Sequence, residues 1–421
     1  MRKLVFTLAL TLIAGACFAQ KKAVKSAKSE LKEKEPNFTE ARGLIKGALT
    51  DPETKDQAET WYVAGLIENK QLDLENGKEI LGQEPNKEVM YKALDGILPY
   101  FEKAYELDQL PDEKGKVKPK FSKDIVAITN ANRFHYVNAG LFYYDKKDYP
   151  NAYKNFKLYG DIPNLPFMKK EAENEGEDAV KEGVVLADSV ETQIKYYAAL
   201  SASLIPDYKK AITLYDAIKN DGYQEKDIYQ KLIYLYGQEK DTVALESILK
   251  KGIEKFPEDD DFLFNLINVS IFSGKTEQGI AYLHEAIEKN PTNSRLYDVL
   301  GQVLETEKRY DEAIAELTKA VEIDPENAEI LSHLGRIYYN IGIDSRAKAD
   351  ENLKDKAVFE AETKKSLDSY RKAMPYFEKA YQLNPKDTNS IYALRTIYYN
   401  LNMGEEFDKM DAIYNKIVGE E

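Results

Sequence analysis

Three histidines, one cysteine and one acidic run are the residues whose types could carry metal or acid–base chemistry. His135, His284 and His333 are the only imidazoles in 421 residues, and no two of them stand at a metal-ligand spacing. Cys17 is the sole thiol, so the chain has neither a Cys-x-x-Cys site nor an internal disulfide. Glu258-Asp259-Asp260-Asp261 gathers four carboxylates, but without the regular oxygen-ligand spacing of a calcium loop. Asp259 to Asp261 read instead as the cap of the next helix, set against its positive N-terminus. There is no Gly-rich phosphate loop and no Gly-x-Ser-x-Gly elbow. The other carboxylates read as solvated helix faces. The sequence therefore predicts no catalytic, metal-ligating or cofactor-binding residues, and a protein that is not an enzyme.

What the chain offers in place of such clusters is tyrosine: 30 of them, against a single Trp. That bias predicts many repeated aromatic packing positions rather than one cofactor pocket. Charged residues make up 31% and mean hydropathy is −0.55, values of a water-facing chain, while 43% apolar residues are enough to fold. The net charge of −14 repels phosphate backbones, so nucleic acid is not an expected partner, and it disfavours anionic membrane surfaces as well.

The N-terminus carries an export signal. Arg2 and Lys3 precede an apolar run from Leu4 to Ala16, then Cys17-Phe18-Ala19-Gln20 and a polar turn at Lys21. Residues 1–19 read as a signal peptide cleaved after Ala19, and the run is too short for an ordinary transmembrane helix. Two readings of Cys17 stand. It is the small residue two before the cleaved bond, or Ala14-Gly15-Ala16-Cys17 is a lipobox and Cys17 the acylated first residue. The first predicts a periplasmic protein and the second an outer-membrane lipoprotein. On the first, the mature chain has no cysteine, and its fold rests on packing alone.

The elements that must position the tyrosines follow a register of 34 residues. Pro257, Pro291 and Pro325 keep that spacing, with Leu249, Leu283 and Leu317 at one offset before them and Gly252, Ala286 and Ala320 at another. The unit from Ser294 carries Tyr297, Leu300, Gly301, Leu304, Ala313, Leu317, Ala320 and Pro325. Small residues at 301, 313 and 320 let two antiparallel helices approach, large ones fill the spaces between, and the proline follows the second helix. This pattern resembles the tetratricopeptide (TPR) repeat. The resemblance implies an all-α, right-handed superhelical solenoid of about nine helical hairpins.

Frames start at 192, 226, 260, 294 and 328 and make an array over 191–387. The last is lengthened by about 26 residues, charged and Ala-rich from Ser345 to Lys372, which extend its two helices. An N-terminal block over 20–165 holds a similar long insertion at about 69–90, a Lys-rich loop from Pro111 to Lys120, and a unit from Arg133 with Ala139, Gly140, Ala152 and Phe156. Pro99 to Tyr105 and Pro375 to Tyr381 are the same heptapeptide, which argues for duplication. An irregular acidic linker is expected over 166–190, within an excursion from Asp161 to Glu182. Thr388 to Val418 is a closing hairpin within a cap over 388–421.

The resemblance also implies a concave groove lined by the first helix of each hairpin, holding a partner protein or peptide. Its positions fall on Tyr196, Leu200, Gln230, Tyr234, Phe264, Asn268, Phe272, Asp298, Gln302, Arg336, Tyr339, Tyr392 and Tyr399. Tyrosine gives large contact area with a polar handle and suits protein recognition. The family's Lys/Asn clamp for a terminal carboxylate is missing, since Phe264, Val299, Glu329 and His333 stand at the corresponding places. The expected function is an envelope scaffold or adaptor, with a peptide- or glycan-binding module as the alternative.

Overall fold

The computed structural model describes residues 20–175 and 188–419. The signal segment with Cys17 and the acidic stretch 176–187 lie outside the described residues. Every regular element described is a helix.

The hairpins in chain order are α1 (20–30) with α2 (Phe38–Ala48), α3 (Ala58–Ile80) with α4 (Lys87–Asp108), α6 (Arg133–Asp145) with α7 (Tyr149–Asp161), and α9 (Asp188–Ser203) with α10 (Tyr208–Ile218). Then come α11 (Glu225–Gln238) with α12 (Thr242–Lys255), α13 (Asp260–Phe272) with α14 (Thr276–Lys289), and α15 (Ser294–Thr306) with α16 (Tyr310–Ile323). The last two pair α17 (Ala328–Glu351) with α18 (Lys356–Leu383) and α19 (Thr388–Asn400) with α20 (Gly404–Gly419). That makes nine hairpins among the described residues. Two further helices, α5 (Ser122–Ala131) and α8 (Pro166–Glu175), stand between hairpins.

The starts and stops are written locally. Asn37, Asn86, Asp148, Asp207, Asp259, Asn293, Asn327, Asp355 and Asp387 each cap a helix by accepting a first-turn N–H. The expected capping role of the acidic run is thus carried by Asp259. At the other end, Lys147, Lys240, Gly274, Lys308 and Asn402 adopt positive φ between 57° and 72°. The next N–H bonds back to the carbonyl five residues earlier, as in Arg309 to Leu304 at 2.9 Å and Lys275 to Ser270 at 2.8 Å. This is the Schellman turn that satisfies the last helical carbonyls.

In four of the described hairpins the crossing is a glycine on the first helix against a large ring or Leu on the second. A Cβ built on Gly65 would lie 2.3 Å from Phe101, on Gly140 2.6 Å from Phe156, on Gly301 2.5 Å from Leu317 and on Gly335 3.0 Å from Phe377. In the closing hairpin the matching position is Arg395. That hairpin accommodates the guanidinium by facing it with Asp411, Nε donating to Oδ1 at 2.5 Å.

The chain falls into two compact units, residues 1–245 and 246–421, and the boundary lies inside α12. In the first unit the packing runs on past residue 165. Phe156 of α7 stacks on Tyr197 of α9 at 5.8 Å, and one core holds Phe101, Tyr136, Phe156, Ile162, Phe167 and Ile194. Residues 166–175, expected as irregular linker, are helix α8. Pro166 starts it, and Phe167 packs against Tyr105 at 5.3 Å, so one buried ring outweighs the acidic composition. In the second unit the insertion of the 328 frame is helical, with α17 reaching Glu351 and α18 starting at Lys356. Pro375 lies inside α18 as Pro99 does inside α4, the duplicated heptapeptide keeping its place.

Six tyrosine hydroxyls tie helices together by donating to carboxylates. Tyr62 donates to Asp124, Tyr105 to Glu171, Tyr196 to Asp227, Tyr236 to Asp216, Tyr310 to Asp344 and Tyr398 to Glu378, over 2.5–3.1 Å. A ring that fills the crossing and a hydroxyl that reaches the next helix explain why tyrosine serves here better than phenylalanine.

Candidate partner-binding groove

The expected groove residues divide between the units. In the first unit Tyr196 is half-buried, ringed by Tyr197, Tyr215 and Tyr223 at 5.5–6.0 Å, with its hydroxyl on Asp227. Burial, and then the Asp227 carboxylate, push its phenol well above the ordinary value. It is a packing residue, which corrects its assignment to a free recognition strip. Leu200 is half-buried, while Gln230 and Tyr234 are exposed.

In the second unit Phe264 is 9% exposed, covered by the Arg295 guanidinium at 4.2 Å from the ring centroid. Asp298 is 7% exposed; it accepts from Gln302 at 3.0 Å and meets His333 Nδ1 at 2.7 Å. These two side chains shape the groove wall and offer a ligand little surface, so their assignment as contact residues is corrected too. Asn268 is exposed, and Phe272 is 90% exposed at the end of α13.

Three predicted residues do come together. Arg336, Tyr339 and Tyr392 line one half-open cavity of about 720 Å³ between the starts of α17 and α19. Its geometry is fixed from behind. Glu305 accepts from Arg336 at 2.7 Å and from Asn340 at 2.8 Å, holding the guanidinium at the wall. Tyr339 packs on Tyr370 at 5.7 Å and edge-on to Phe377 at 6.3 Å. Burial pushes the Tyr339 phenol above its usual value. Asp387 caps α19 by accepting from Asn389 N and Ser390 N, and its carboxylate sits at the rim. Tyr399 is 68% exposed against Phe407, and lies outside the cavity lining.

Sequence reasoning missed Asn340, Asp387 and Tyr414 of this lining. Asn340 is one turn after Arg336 on the same face, so helical spacing could have found it. Tyr414 leans on Tyr392 at 5.8 Å from the second helix of the closing hairpin, which departs from the repeat pattern. No positional signal pointed to it.

His333 belongs to the groove wall. His135 is held below its usual value by burial, with Nδ1 lacking a hydrogen-bond partner. Among the described residues no group of three His, Cys, Asp or Glu side chains is arranged to hold a metal ion, and no helix is long and apolar enough to cross a membrane.

Aromatic faces, amides and one pinned guanidinium in a cavity of this size suit a polypeptide or another polar ligand with stackable faces. Comparison with known proteins places the repeats. Residues 306–342 match the family model described as TPR repeat, and residues 359–387 the one described as tetratricopeptide repeat. A search of curated proteins gave no match. Among solved structures, a TPR repeats protein from Bacteroides fragilis is similar at 16% identity over 67% of this chain and 98% of its own, with a TM-score of 0.33. YrrB, described as a TPR protein with an unusual peptide-binding site, is 18% identical over 48% of this chain and 90% of its own, at a TM-score of 0.30. A thermophilic TPR protein of Thermus thermophilus is 18% identical over 50% and 98%, at 0.30. The two matched segments lie in the second unit, and there the chain carries tetratricopeptide repeats of the kind its 34-residue register led one to expect.

Proposed function

We propose that the protein is a non-enzymatic scaffold of the bacterial cell envelope that seats a segment of a partner protein in the cavity of the second unit. The observation that carries this reading is the convergence of Arg336, Tyr339 and Tyr392, three groove positions from two successive first helices, on one concave space. The polar groups around it are held in place before any ligand arrives, which lowers the ordering cost of binding. Envelope location rests on the N-terminal pattern of Arg2, Lys3, the apolar run and the small residues before Gln20.

The second reading is a periplasmic module for a peptide or glycan. A discrete cavity within the usual volume range of small-ligand sites, rather than a shallow strip, favours it.

Affinity capture from envelope extracts tests both. The bait is the tagged chain from Gln20 onward, and the control is its Arg336→Ala/Tyr392→Ala variant, changed at two exposed side chains. A protein captured by the bait and lost by the variant supports the scaffold. Capture that the variant retains overturns the cavity as the site. Loss of a bound peptide or oligosaccharide alone, without any protein, selects the second reading.

A further inference from the structure

The duplicated hairpins leave their second helices differently. From α18 the chain reaches α19 through residues 384–387, whereas from α4 it takes residues 109–121 to reach α5. Aligned on the shared heptapeptide, Asp108 stands opposite Asn384, and the extra length follows it. All of 111–120 is exposed, yet the segment is anchored at both ends. The Asp108 carboxylate accepts the N–H groups of Lys120, Phe121 and Ser122 and the Ser122 hydroxyl, all within 2.8–2.9 Å. The Asp112 carboxylate accepts Lys114 N and Lys116 N at 2.9 Å and Lys118 Nζ at 3.1 Å, and Asp112 N donates to Lys116 O. A connection this long inside a repeat array is uncommon without a role of its own.

The loop displays lysine at every second position, 114, 116, 118 and 120, with Val117 between two of them. Lys118 pairs with Asp112, whereas Lys114, Lys116 and Lys120 have no ion pair. Against these four lysines the loop sets two acids, Asp112, which is paired with Lys118, and exposed Glu113, so residues 111–120 keep a net positive charge. Leu110, just before the loop, and Val117, between Lys116 and Lys118, stand 57% and 49% exposed. In a chain of net charge −14, a fixed patch of the opposite sign decides which side approaches an anionic surface.

We infer that the loop 111–120 docks on an anionic lipid surface, with the lysines on headgroup phosphates and Leu110 and Val117 in the headgroup–acyl boundary. The apolar pair selects lipid over a soluble polyanion, which would leave Leu110 and Val117 in water. The loop belongs to the first unit and the cavity to the second, and they share no residue, so either assignment stands or falls alone.

Vesicle co-sedimentation tests it, using the chain from Gln20 onward with vesicles of phosphatidylglycerol and phosphatidylcholine, and of phosphatidylcholine alone. Binding is expected only to the anionic vesicles and weakens with added salt. Lys114→Gln/Lys116→Gln/Lys120→Gln leaves the Asp108 and Asp112 anchors in place and weakens it about five-fold per lysine. Leu110→Ser/Val117→Ser weakens it without changing the charge. Absence of sedimentation with anionic vesicles, or binding that the lysine variant retains, overturns the assignment. Binding to poly-glutamate at equal strength that Leu110→Ser/Val117→Ser leaves unchanged overturns it in favour of an acidic protein partner.

Discussion

At the scale of single residues, the glycine crossings leave almost no tolerance. Gly301 has the Leu317 side chain where its Cβ would stand, at 2.5 Å, and Ala320 is fully buried on the same helix as Leu317. Gly301→Ala and Ala320→Leu therefore overpack one hairpin, each costing about 1–3 kcal/mol, which thermal melts will register. Unchanged melting temperatures would show that the 34-residue frame is misplaced. The tyrosines divide by partner. Tyr236→Phe keeps the ring but withdraws a hydroxyl from Asp216, lowering stability by about 1 kcal/mol, whereas the same change at exposed Tyr234 leaves the melt unchanged. The small and large positions of the crossing were legible because they recur. The carboxylate partners were not, since Tyr62 and Asp124 lie 62 positions apart and no local period links them. For the same reason Tyr196 read as a recognition residue, though its hydroxyl closes a helix joint.

At the scale of the element, helix pairs followed from the register, and what escaped was helix without register. α5 and α8 fall between frames, so no 34-residue offset announced them. α8 forms because Phe167 has a place against Tyr105, a fact of tertiary packing and not of local composition. The hairpin turns show how tightly the period acts. Lys240, Gly274 and Lys308 occupy one repeat position, all with positive φ. Glycine takes that conformation freely, whereas a lysine there is strained by about 1 kcal/mol or more. Lys308→Gly is thus expected to hold or raise the melting temperature by a degree or more, and Gly274→Ala to lower it. If Lys308→Gly destabilises instead, the lysine side chain contributes something that the backbone argument omits. The long connection after α4 depends on one carboxylate. Asp108→Ala leaves several N–H groups of 120–122 without an acceptor. Trypsin should then cut within 114–120 faster than in the parent chain, with the rest of the molecule still resistant.

At the scale of the whole molecule, the tyrosine content becomes a pH dependence. Burial pushes the Tyr91 phenol up to about 12 from an ordinary 10.0. Burial and then a carboxylate acceptor push Tyr62, Tyr105, Tyr236 and Tyr398 higher still. Each of these groups holds its proton in the folded chain after an unfolded chain would have released it. The folded state binds more protons in that interval, so stability falls as pH rises. The contribution is complete below the unfolded value near 10.0 and is lost as pH climbs through the raised values. These tyrosines occur in both compact units, so the loss reaches each of them. The denaturant midpoint should stay level around neutrality and drop steeply above pH 10, where acidic groups no longer titrate. Tyrosinate absorbance of the buried set should rise late, together with the loss of helical circular dichroism. One smooth ionisation of all tyrosines, with the helices intact, would mean that the buried phenols reach water without unfolding. The packing role assigned to them would then fail. Tyr236→Phe should make the alkaline decline shallower while lowering the neutral plateau, since the hydrogen bond and the raised ionisation have one source.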